Sequence, residues 1–168
     1  MIHLPPKKAL QVGQDLAADP ERAYTTILKL ASDKNTVNFL REKLRPAAAN
    51  PLSEKDFRNL IFCLASDNFE IRSKANNQLL KLETDIEADL KKSLTDDLTL
   101  ETRRRIEKLL ESIDTQQRRN RRAIEVLELV NTEAARDVLR TLAKGRTDAR
   151  LTREAKESLE RIANRSGN

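Results

Sequence analysis

Apolar residues recur at intervals of three and four from one end of this chain to the other, and no segment alternates apolar and polar in twos. That period belongs to helices with one buried stripe, and its persistence leaves no room for a strand. The 168 residues include only three glycines and five prolines, too few for the turns of an all-β chain or for a glycine-rich phosphate loop. Leu, Ala, Glu, Lys and Arg fill the remaining positions, as in helical proteins. The sequence predicts an all-α protein of about ten helices.

Helix boundaries follow from local signals. A first helix starts near Pro5 or Pro6 and ends before Asp19. Asp19-Pro20-Glu21 then supplies an N-cap, a proline at the first helical position and an acid in the first turn. That second helix carries Ala23, Ile27 and Leu30, and a third carries Val37, Leu40 and Leu44. Pro46 and Pro51, with three alanines between them, mark a linker over 47–52. It separates N-terminal helices over 1–46 from repeat helices over 53–168, all within one domain of 1–168. Ser53 with Asp56 caps a fourth helix bearing Phe57, Leu60, Ile61 and Leu64, where Cys63 reads as core packing. A fifth carries Ala75, Leu79 and Leu82, and a capping box of Thr84 and Glu87 opens a sixth with Leu90 and Leu94. Ile106, Leu110 and Ile113 place a seventh helix, and Ala123, Leu127 and Val130 an eighth, with a turn expected at 114–117. Asn131-Thr132-Glu133 turns the chain into a ninth helix with Val138, Leu139 and Leu142, which Gly145 stops. A tenth carries Leu151, Ala155, Leu159 and Ile162.

The stripes starting at Ala75, Ala123 and Ala155, and at Ile106, repeat one small-or-branched, +4, +7 pattern. Similar faces at one- and two-helix separations point to stacked helical hairpins, pairing fifth with sixth, seventh with eighth and ninth with tenth. A common amphipathic bundle would share the period. A second recurrence is an acid in a turn and an arginine at the start of the next helix: Asp67 with Arg72, Asp97 with Arg103, and Asp148 with Arg153. These pairs read either as an inter-helix ladder fixing the stacking register or as independent caps with solvated arginines.

Ser66-Asp67-Asn68-Phe69-Glu70-Ile71-Arg72-Ser73-Lys74-Ala75, with Leu79 and Leu82, and the run from Glu101 to Leu110 resemble HEAT-type repeats. More narrowly, the chain is similar to the HEAT-like helical region attached to some large bacterial WD-repeat β-propeller proteins. The similar stretches are Ala123 to Glu128, Asn131 to Gly145, Ala149 to Ile162, Ala23-Tyr24, and Phe39 to Pro46. The resemblance implies an α-solenoid of stacked antiparallel hairpins and an interaction role, with no catalytic residues to carry over. It also implies that second helices of hairpins line a concave face, which would put Lys91, Lys92 and Arg41 toward a partner. The turn from Leu82 to Asp89 lacks the glycine and proline frequent in such repeats, and no propeller accompanies the helices.

Charge narrows the function. The net charge is +5, and residues 103 to 122 alone hold eight basic and three acidic side chains. If the seventh and eighth helices form a hairpin, Arg104, Lys108, Arg118, Arg121 and Arg122 make a ridge able to contact nucleic-acid phosphates. Against it, Glu107, Glu111, Asp114 and Glu125 stand at ion-pair spacings, no aromatic follows residue 70 to stack on bases, and Arg119 falls near the apolar face. A solvated face is therefore the preferred reading, and nucleic-acid binding the alternative. One cysteine and one histidine exclude an internal disulfide and a zinc site built on those ligands. No nucleotide-loop, metalloprotease or hydrolase motif is present, so neither cofactor nor reaction is expected. No signal peptide or run of about 20 apolar residues occurs, and the expectation is a cytoplasmic protein that binds another protein or a peptide.

Overall fold

The computed structural model describes residues 6–47, 52–82, 86–95 and 98–166. Among these, every regular element is a helix. The nine are α1 (Pro6–Ala17), α2 (Pro20–Ala31), α3 (Thr36–Lys43), α4 (Glu54–Leu64), α5 (Phe69–Leu82), α6 (Glu87–Lys92), α7 (Leu100–Val130), α8 (Glu133–Ala143) and α9 (Arg150–Ser166).

Three predicted caps form. Asp19 accepts from the Arg22 N–H at 3.0 Å, and Ser53 Oγ from the Asp56 N–H at 3.1 Å. Thr132 Oγ1 accepts from the Ala135 N–H at 3.3 Å. Each satisfies one of the donors a helix leaves open at its start. Asn131, between α7 and α8, takes φ 47°, the left-handed conformation that ends a helix and that asparagine tolerates. The Thr84 capping box and Asp97 lie outside the described residues.

One correction concerns α7. The predicted seventh and eighth helices are a single helix of 31 residues, helical throughout 114–117. Ile113-Asp114-Thr115-Gln116-Gln117 is polar but holds neither glycine nor proline, so nothing stops propagation. Of the polar residues that suggest a turn, Gln117 is buried, Thr115 and Gln116 are half-buried and Asp114 is exposed, so the run lies along a continuous helix partly facing the core.

The chain divides into two compact units. The first takes its described residues from 6–47 and 117–166, the second from 52–116. Leu16, Ile27, Leu30, Val37, Leu40, Val126, Leu127, Leu139, Leu142, Ala155 and Ile162 fill the core of the first. In it, α1 packs on α2, α8 on α9, and α3 on α8. The core of the second comprises Phe57, Leu64, Ala75, Leu79, Ile86, Leu90, Ile106, Leu109 and Ile113, with α4 packed on α5. Truncating a fully buried leucine in either core, Leu79 or Leu139, removes about 2–5 kcal/mol.

Gly145 follows α8 as the sequence predicts, but for a steric reason. Its φ is not positive; a Cβ there would stand 2.5 Å from Thr152 Oγ1 and 2.9 Å from the Ala47 backbone nitrogen. Only glycine lets 47 and 152 close around this corner.

Candidate functional site

The residues of the basic ridge have three different fates. Arg104 and Lys108 are exposed on the part of α7 in the second unit. Arg118 and Arg121 belong to the first unit, Arg118 half-buried and Arg121 exposed. Arg122 corrects the ridge reading, because its Nη1 donates to the carbonyls of Leu16 and Ala18, 2.7 Å from each. Its neighbour Arg119 donates from Nε to the Gly13 carbonyl at 2.8 Å. The Leu16 carbonyl lies in the last turn of α1, where no N–H of the helix reaches it, and the Arg122 guanidinium supplies its partner. With no turn at 114–117, the hairpin that would gather the ridge does not exist.

The proposed concave residues are engaged within their own units as well. Arg41, on α3, donates to Asn38 Oδ1 at 3.2 Å and to the Ala134 carbonyl at 3.5 Å. On α6, Lys91 pairs with Glu87 at 2.5 Å and Lys92 with Asp89 at 3.8 Å. Arg41 belongs to the first unit and the two lysines to the second.

Arg72 and Arg103 close turns through backbone carbonyls, and Asp97 lies outside the described residues. Arg72 donates to the backbone carbonyls of Ser66 and Asp67, at 3.0 and 2.6 Å, and not to the Asp67 carboxylate. Arg103 donates to the Thr95 carbonyl at 2.9 Å. Asp148 pairs with Arg146 at 2.5 Å, and that hydrogen bond above all holds its carboxyl below the usual range, with Arg153 adding a weaker charge.

Other residues join α7 to α9. Arg150 donates to Gln117 Oε1 at 2.5 Å, and Arg161 clamps Glu128 through three hydrogen bonds of 2.8–3.2 Å. Both pairs are 33 residues apart. Eleven residues along α7 thus match eleven along α9, so the two helices run parallel and in register over about 16 Å. The same reasoning applies to α1: Arg119 meets Gly13 and Arg122 meets Leu16, each 106 residues away. Long arginine side chains space these helices and leave between α7 and α9 a cleft of about 530 Å³, lined by Arg121, Glu125, Glu128, Glu154, Glu157 and Arg161 among others. Glu128 is 7% exposed and also takes Arg165 at 2.9 Å. Burial pushes its carboxyl up, but the Arg161 hydrogen bonds and the charges of Arg161 and Arg165 outweigh that and leave it below the usual range.

The least expected surface lies at the α4–α5 corner. Phe62, in the last turn of α4, is 80% exposed, and Phe69, the first residue of α5, is 72% exposed. Half of the chain's four phenylalanines therefore face solvent at one end of one hairpin. The Arg72 guanidinium carbon lies 5.8 Å from the centroid of the Phe69 ring. A signal was present in the sequence: Leu60 to Leu64 are five consecutive apolar residues, more than one helix face can bury. At 100° per residue Phe62 points about 140° away from the buried Phe57.

Comparison with known protein families, with curated proteins and with solved structures gives no match. No helix among the described residues is long and apolar enough to cross a membrane.

Proposed function

We propose that this chain is a non-catalytic protein-interaction or scaffold module, built from stacked helical hairpins of HEAT-like character. The observation that carries the reading is the exposed pair Phe62 and Phe69. Two phenylalanines left in water at one corner forgo a burial worth roughly 1.5–3 kcal/mol each, and an apolar surface of this kind marks a place where another protein docks. The stacked-hairpin part draws support from the parallel, in-register run of α7 and α9, the arrangement expected of equivalent helices in successive repeats. In the same reading α1 is the equivalent helix of the preceding layer, and residues 50–116 are a unit of their own inserted in the sequence of the first.

Nucleic-acid binding has less support, because Arg122 of the basic ridge is committed to the end of α1. The test is paired capture from the source cell with the chain and its Phe62→Ser/Phe69→Ser variant. Partners retained by the first and lost by the second are expected; identical partner sets, or recovery of nucleic acid alone, would refute the reading.

A further inference from the structure

The cleft between α7 and α9, which lies wholly within the first unit, is charged unevenly along its length. One end is closed by the bond from Arg150 to Gln117. Its lining holds the guanidiniums of Arg121, Arg122 and Arg150 and the carboxylate of Glu154. At the other end Glu128 takes Arg161 and Arg165, and Glu125 and Glu157 act on Arg161 by charge. Three cations against one anion leave the first end positive, and three carboxylates against two guanidiniums leave the second end negative. The remaining lining residues, Ile124 and Leu129, carry no charge.

Donors at the positive end are left over. Arg121 is exposed and has no hydrogen-bond or ion-pair partner among the described residues. Arg122 uses Nη1 on the end of α1, and its Nε and Nη2 hydrogens meet no acceptor among the described residues. Arg150 holds Glu154 through Nε and Gln117 through Nη1, which leaves its Nη2. These bonds also fix Arg122 and Arg150 in place, so ordering them adds little entropic cost when an anion arrives.

We infer that this end of the cleft binds a single phosphate group, with Arg121, Arg122 and Arg150 donating to its oxygens. The surplus of two positive charges matches a phosphate dianion, whereas a carboxylate neutralises half of it. Guanidinium forks suit phosphate oxygens. Glu125 follows Arg121 by one helical turn, about 6 Å, and with Glu157 it repels a second phosphate at that distance. The cleft therefore selects one phosphate over a polyphosphate or a nucleic-acid backbone. Its volume of about 530 Å³ is that of a small-molecule site. The inference goes beyond the interaction reading and does not depend on it.

Nuclear magnetic resonance of the arginine Nε–H signals of the whole chain tests this, with inorganic phosphate, a sugar monophosphate and pyrophosphate as probes. Expected are saturable shifts at Arg121, Arg122 and Arg150, with a dissociation constant on the order of 1 mM at about 50 mM salt, weakening as salt rises. Arg121→Ala should weaken binding at least about tenfold with an unchanged far-ultraviolet spectrum. Pyrophosphate should bind no more tightly than phosphate to the wild type, and more tightly to Glu125→Gln/Glu157→Gln. Tighter binding of the sugar monophosphate than of inorganic phosphate assigns the site to a phosphate monoester; the reverse order assigns it to the free ion. Absence of saturable shifts, binding indifferent to Arg121→Ala, equal shifts at Arg104 in the second unit, or a wild type that prefers pyrophosphate would each overturn the inference.

Discussion

Glu128 offers the sharpest test of how the first unit is held together. Its carboxylate is buried on α7 and receives three hydrogen bonds from Arg161 and one contact from Arg165, both on α9. Stripping one partner from a buried pair costs about 3–5 kcal/mol when the other charge is stranded out of water. Here the guanidiniums are 50% and 62% exposed, so on Glu128→Gln they rehydrate in place, and the amide oxygen still accepts one bond. The expected cost of Glu128→Gln is therefore about 1.5–2.5 kcal/mol. Arg161→Ala should cost more than Arg165→Ala, since it strips three hydrogen bonds from the buried carboxylate rather than one contact. The pH dependence has a definite sign. A carboxyl whose folded pKa is lowered adds stability above its unfolded value of about 4.3, and loses it as pH falls through the folded value. Wild type should therefore lose more stability than Glu128→Gln between about pH 6 and pH 3. Urea unfolding followed by circular dichroism, with hydrogen exchange of α9 peptides as the local readout, measures both effects. A cost below about 0.5 kcal/mol together with identical pH profiles would refute the clamp.

Neighbouring arginines should behave oppositely. Arg122→Ala uncaps the end of α1 and should cost about 1–3 kcal/mol, while exposed Arg121→Ala should stay within about 0.5, both read by thermal melts. Gly145→Ala should lower the melting temperature by an amount equivalent to about 1–3 kcal/mol, because its Cβ meets the Ala47 backbone as well as the Thr152 hydroxyl. At Asn131, where φ is 47°, valine should cost about 1–2 kcal/mol more than glycine in parallel urea titrations.

Helix content and the buried stripes were legible in the sequence because each is written locally. Ala23, Leu79, Leu139 and Ala155 each belong to an apolar stripe at helical spacing in their own helix, and Asp19, Ser53 and Thr132 cap where short polar residues precede an apolar run. What could not be read is non-local. The polar run at 114–117 suggests a turn, yet Gln117 finds its partner 33 residues on, in Arg150. Arg122 looks like part of a basic ridge until the end of α1, more than a hundred residues away, supplies its acceptors. The concave assignment of Arg41, Lys91 and Lys92 rests on a presumed helix pairing, whereas their hydrogen bonds and ion pairs are mostly local. The phenylalanine corner was half legible: an excess of apolar residues from Leu60 to Leu64 shows that something must face out, but not which residue.

The most direct test of the interaction reading places a photo-reactive phenylalanine analogue at position 62 or 69, and at 104 or 121 for comparison. The side chains at 62 and 69 already face solvent, so the analogue fits without disturbing either core. Irradiation in the cell is expected to give a discrete protein crosslink from 62 and 69, either to a second copy of the chain or to a distinct partner, and none of comparable yield from 104 or 121. Crosslinks to nucleic acid from 104 or 121, with nothing captured at 62 or 69, would contradict it.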